Sequence, residues 1–206
     1  EMLELAALLS AYPAPPAKPH VATVILSGGL GALLADLAAA NGVSLAPLGA
    51  ATREALHQAL PPYPRLRNPI DAMGLGWDAE MFESVLATLA RDPAYGTILL
   101  AMDATAAGGA DTTMVLEMTG MCARLAPETT ARFVFTNNTT AGGLNAEVRA
   151  TLDSAGIPYL AGMRETLAAV GKWTRPLARP IDPVPATGDW RGRAASAVAL
   201  SELERF

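Results

Sequence analysis

Apolar residues fall into two alternating patterns along the chain. Short continuous runs at 21–26, 43–45, 97–102, 131–135 and 157–160 have the length of strands buried on both faces. Between them, apolar positions recur at helical spacing. Leu30, Leu33, Leu34, Leu37 and Ala38 share one face after the first run, and Met81, Val85, Leu86 and Leu89 another. A third stretch runs to about Leu125, a fourth carries Leu144, Val148 and Leu152, and a fifth covers 164–173. Strands alternating with helices predict an α/β fold, a parallel sheet in three α/β/α layers. The simplest arrangement is the flavodoxin-like, doubly wound, five-stranded order 2-1-3-4-5.

Local signals mark the joints. Asn41-Gly42 reads as a helix C-cap, Thr52 and Asp78 as N-caps, Asp111 or Thr112 as the cap of the next helix, and Gly156 as a stop. The second strand, 43–45, ends at Pro47. Residues 61–77, PPYPRLRNPIDAMGLGW, have no periodicity, yet Ile70, Met73, Leu75 and Trp77 predict an ordered loop. At the front, 1–19 reads as the end of a helix bearing Leu5, Leu8 and Leu9, followed by a proline-rich connector. The main module then covers 20–173. Residues 174–206 read as a linker with Pro176, Pro180, Pro183 and Pro185, then the start of a further module. A chain opening on Glu1 is expected to be a piece of a longer polypeptide.

Composition narrows the classes of function. Of 206 residues, 51% are hydrophobic and 17% charged, with a net charge of −5, ample for a buried core. A pI near 5.0 leaves no electrostatic footprint for nucleic acid or an anionic membrane. No apolar run approaches the roughly 18 residues of a membrane helix, so a cytoplasmic protein is expected. Cys122 is the sole cysteine and reads as a small buried hydrophobe.

The candidate chemistry centres on Ser27-Gly28-Gly29-Leu30-Gly31, where a strand meets a helix through glycine. A helix start leaves backbone N–H groups unpaired and carries partial positive charge, so it accepts an anion. The competing reading is that the glycines serve tight packing. The spacing is not G-x-G-x-x-G, and no acidic residue closes the second strand, which disfavours dinucleotide binding. Ser27 is outside a G-x-S-x-G elbow and has no histidine beside it. His20 precedes the first strand, at the far end of the sheet, and His57 lies in a helix, so both read as structural. No cluster has metal-ligand spacing. Asp71, in Asn68-Pro69-Ile70-Asp71, is either a turn residue or a site residue, and Asp36 lies off the leucine face. The switch point of the sheet would bring 27–31 beside 103–109, with 136–140 and the long loop as further neighbours.

Read together, ILSGGLGALLADLAAANGVSLAPL, LPPYPRLRNPIDAMG and FESVLATLARDPAYGTILLAM resemble the succinyl-CoA-ligase-like flavodoxin domain of NDP-forming acyl-CoA synthetases. The likeness extends through SAGIPY and the closing helix. Members join a carboxylic acid and CoA with ATP, through an acyl phosphate and a phosphohistidine. The resemblance implies that Ser27, Gly28, Gly29, Leu30 and Gly31 hold phosphate, that Asn68 and Asp71 order the neighbouring loop, and that Asp103 or Asn137 touches a ligand. It also implies that CoA, ATP and Mg are used by the parent enzyme, ADP- or GDP-forming, with no cofactor or metal assigned to this piece. The expected partners are CoA-binding, phosphohistidine-bearing and ATP-grasp domains of the same protein, a carboxylic acid substrate and a possible second copy. The phosphohistidine is expected upstream, so the piece should be inactive alone. Two rival readings are a stand-alone sensor of CoA or an acid, and a docking scaffold.

Overall fold

The computed structural model describes residues 1–60, 66–73, 76–106, 112–138 and 143–175. Leu75, the possible cap at Asp111, most of the loop after Asp103, and the linker and following module expected beyond Arg175 lie outside the described residues. The sheet contains β1 (His20–Ile25), β2 (Ile70–Asp71), β3 (Tyr95–Ala101), β4 (Arg132–Asn137) and β5 (Tyr159–Ala161). All pair in parallel in the order β2-β1-β3-β4-β5, as the alternating pattern predicts.

The helices are α1 (Met2–Ala11), α2 (Gly28–Asn41), α3 (Ala50–Ala59), α4 (Ala79–Arg91), α5 (Thr112–Leu125), α6 (Ala146–Ser154) and α7 (Met163–Trp173). Alternate strand residues point to opposite faces, so the apolar runs feed two cores. Ala22, Val24, Ile98, Leu100, Phe133 and Phe135 meet α3 to α6 on one side. Val21, Ile25, Leu99, Ala101 and Val134 meet α1, α2 and α7 on the other.

The second strand differs from expectation. Residues 43–45 contribute one bridge, Ser44 to His20, and the edge position beside β1 belongs to Ile70–Asp71 from the long loop. The chain leaves β1 after Ser44 toward α3. Most of the expected apolar face of α2 turns inward: Leu34 and Ala38 are buried beside Gly31, and Leu30 and Leu37 pack half-buried against the same core, whereas Leu33 is 51% exposed. Nearly every position of α2 is apolar, so composition alone could not select its inner line.

Several caps are as read. Asp78 accepts the Met81 N–H at the start of α4, and Gly42 ends α2 in the left-handed region at φ 67°. Thr52 is not the cap expected of it: Gly49 is the N-cap of α3, and Thr52 sits inside the helix, where its hydroxyl donates to Asp92 instead. Phe82 joins Val85, Leu86 and Leu89 on the buried side of α4, with Met81 half-buried.

α1 packs along α7. Leu8 is fully buried, the Tyr12 hydroxyl donates to the Phe133 carbonyl at 2.9 Å, and Glu4 accepts the Ala161 N–H on edge strand β5. The Tyr12 ring stacks on Trp173, and burial pushes its hydroxyl pKa up to about 12. Cys122 is buried, and burial pushes its thiol up. Among the described residues no helix is long and apolar enough to cross a membrane.

Candidate functional site

The turn after β1 has the form expected of it. Ser27 is extended at φ −160° and ψ 134°, and α2 starts at Gly28 with no side-chain cap bond from Ser27. Ser27, Gly28 and Gly29 are exposed, Leu30 is half-buried and Gly31 is buried. The first N–H groups of α2 therefore point to an open helix start without the hydroxyl cap that would close it.

The glycines divide by role. A Cβ on Gly31 would stand 2.5 Å from Ile25 Cδ1 and 3.9 Å from Pro69 Cβ, so this glycine lets α2 approach β1 closely. At that position a side chain would have to displace the end of the buried Ile25 side chain. A Cβ on Gly29 would meet only Ser27 Oγ, at 3.8 Å, and one on Gly28 only Asp71 Oδ2, at 3.6 Å. Packing does not require glycine at these two positions.

Asn68 and Asp71 are brought to the same turn across some forty residues of sequence. The Asn68 side chain completes the edge of β1: its Oδ1 accepts the Thr23 N–H at 2.9 Å, and its Nδ2 donates to the Val21 carbonyl at 2.7 Å and the Ala46 carbonyl at 3.1 Å. The edge of β1 is thus satisfied in sequence by the Ser44 carbonyl, the Asn68 amide, and Ile70–Asp71. A primary amide carries the donor and acceptor of a peptide group, which is why asparagine can stand in for a missing strand residue. Asp71 then follows in register with Ile25. Its Oδ1 accepts the Met73 N–H at 3.1 Å, and its Oδ2 faces Gly28.

A cavity of about 500 Å³ lies between these segments, lined among others by Gly28, Gly31, Asp36, Asn68 and Asp71. Ile25, Ala32, Ala35 and Ile70 make much of the wall apolar. Arg67 also lines it. It was not singled out in the sequence, although its place next to Asn68 in PRLRNP was the available signal.

The other two positions do different work. Asn137 is 2% exposed, and its Oδ1 accepts the Ala104 N–H at 2.9 Å. Asp103 is exposed, and its two carboxylate oxygens accept the backbone and side-chain N–H groups of Asn138 at 2.9 and 3.1 Å. Together they tie the carboxyl ends of β3 and β4 to each other, and Asn137 is held inside. His20 bonds the Ser44 hydroxyl at 2.7 Å at the opposite end of β1, and His57 is exposed on α3. Among the described residues no group of three or more metal-binding side chains converges.

The fold recurs in solved structures. PH0766 from Pyrococcus horikoshii OT3 aligns with a TM-score of 0.67 at 23% identity, covering 84% of this chain and 39% of its own. The dinucleotide-forming acetyl-coenzyme A synthetase 1 of Ca. Korarchaeum cryptofilum aligns in its apo form with a TM-score of 0.63 at 18% identity, over 83% of this chain and 36% of its own. The same enzyme in complex with phosphate and ADP gives 0.63 at 17% identity, over 83% and 36%. The chain therefore spans well under half the length of the structures it matches. No protein-family model and no curated protein matches it. At these identities the likeness establishes the shared α/β architecture.

Proposed function

We propose that the chain is an internal domain of a multidomain acid–CoA ligase, an NDP-forming acyl-CoA synthetase, and that its 27–31 turn shapes the phosphohistidine or phosphate site. The observation that carries this reading is the convergence of Gly28 with Asn68 and Asp71 on one cavity at the start of α2. These are the two motifs on which the resemblance rests, and the fold places them together. Ser27 and the N–H groups of Gly28, Gly29 and Leu30 bind the phosphoryl oxygens; Asn68 holds the edge that carries Asp71.

Two further features support a part of a larger assembly. Neither His20 nor His57 lies at the turn, so the phosphorylated histidine comes from another domain and the isolated chain has no synthetase activity. Among the described residues, the exposed large hydrophobics Met2, Leu3, Leu9 and Leu33 all lie on α1 and α2, the kind of surface a neighbouring domain covers. CoA, ATP and Mg belong to the parent enzyme in this reading, as does the carboxylic acid.

The test is a phosphate titration of the chain followed by amide NMR shifts, with Gly29→Val as control. Shifts centred on 27–31 that disappear in the variant, with thermal stability retained, are expected. Loss of stability in Gly29→Val as large as its loss of binding would return the glycine to a packing role and favour the docking scaffold. Tight unaided binding of CoA or an acid would favour the sensor.

A further inference from the structure

Thr23 on β1 and Thr97 on β3 are both fully buried, and neither hydroxyl has a hydrogen-bond partner. The register sets Val21 opposite Thr97 and Thr23 opposite Leu99, which makes the two threonines diagonal neighbours on adjacent strands. By strand alternation both point to the face shared by Val21, Ile25 and Leu99, the one covered by α1, α2 and α7. Elsewhere on this face the buried hydroxyls are paired: Thr136 with Thr166 at 2.7 Å, and Thr136 also with the Leu160 carbonyl at 3.0 Å. Two orphans side by side therefore stand out against a satisfied surrounding.

We infer that one internal water molecule binds between Thr23 and Thr97 and bridges their hydroxyls. Each hydroxyl can donate once and accept twice, so a single water satisfies both. Diagonal neighbours that project to one face of adjacent strands are close enough for their side chains to share a partner. Internal waters occur on the order of once per 27 residues and sit where buried polar groups would otherwise be unpaired. The bridge joins β1 to β3 in the middle of the sheet, where the Thr23 N–H is already held by Asn68. It is independent of the ligase reading.

A crystal structure of the 206-residue chain that resolves ordered solvent, with Thr23→Val, Thr97→Val and the double variant, tests this. Valine preserves shape, so all three should fold. The expected results are a water within hydrogen-bonding distance of both Oγ1 atoms and a Tm lowered by about 2–4 °C in each single variant. The double variant should then lose less than the sum of the singles, because the water no longer has a half-empty site to fill. No water in a map that shows other buried solvent, or single variants that raise Tm additively, would overturn the inference.

Discussion

Replacing Asp71 by asparagine removes one negative charge beside the start of α2 and retains an oxygen to accept the Met73 N–H. Asp71 Oδ2 lies 3.6 Å from where a Cβ on Gly28 would stand, and the charge of a phosphate on the Gly29 and Leu30 N–H groups is taken as roughly 7 Å from it. Two unit charges at that separation interact by about 0.6 kcal/mol in bulk water and about 2.4 kcal/mol at an effective dielectric of 20. Ser27 and Gly29 are exposed and Asp71 is half-buried, and salt screens such pairs over about 8 Å under physiological conditions. A relief of about 1 kcal/mol follows, equivalent to phosphate binding about fivefold tighter. Parallel phosphate titrations of the two proteins at low and high salt would read it, and the gain should shrink as salt rises. Binding that is unchanged or weaker in Asp71→Asn, with Tm preserved, would refute the placement of the anion beside this carboxylate.

Asn68→Asp keeps the acceptor for the Thr23 N–H but turns the two donated bonds into oxygen facing oxygen at Val21 and Ala46. Each lost bond is worth about 1 kcal/mol before repulsion, so about 2–4 kcal/mol should be missing in denaturant unfolding; a loss under about 0.5 kcal/mol would deny the amide its place in the sheet. Gly171→Ala drives a methyl into the Asn41 carbonyl, where α7 crosses the end of α2, and should lower stability by about 1–3 kcal/mol, checked by thermal unfolding. Tyr12 has a folded-state pKa of about 12 against an ordinary 10, raised chiefly by burial. The neutral form is favoured by folding, so this contribution is complete below pH 10 and is lost as pH rises through about 12. Tyr12→Phe should therefore flatten the alkaline limb of the stability curve, and an unchanged limb would assign alkaline unfolding to Tyr95, Tyr159 or Cys122, whose pKa values burial also raises.

Local chemistry made much of this protein readable from its residues. The continuous runs that became β1, β3 and β4 have strand length and are bounded by turn signals, and the capping signals at Asp78 and Gly42 act within one turn of their own helix. The order of the sheet is the simplest that the alternating elements allow. The SGGLG turn was visible too, because strand, glycines and helix adjoin in sequence.

What remained for the tertiary structure were contests between distant segments. The edge of β1 was open to 43–45 and to the long loop, and the winner depends on Asn68, whose amide fills the gap and sets Ile70–Asp71 in register. Neither segment's own pattern holds that information. α2 is apolar at nearly every position, so periodicity gave its inward face but not the exposure of Leu33, nor the close approach of Gly31 to Ile25. Asn137 and Asp103 were equal candidates by position, yet burial turned one into an internal brace and left the other at the surface. Propensity and patterning act over a few residues and so are written along the chain. Edge pairing, close helix approach and the direction of a polar side chain are set by what stands opposite, and only the folded molecule brings those partners together.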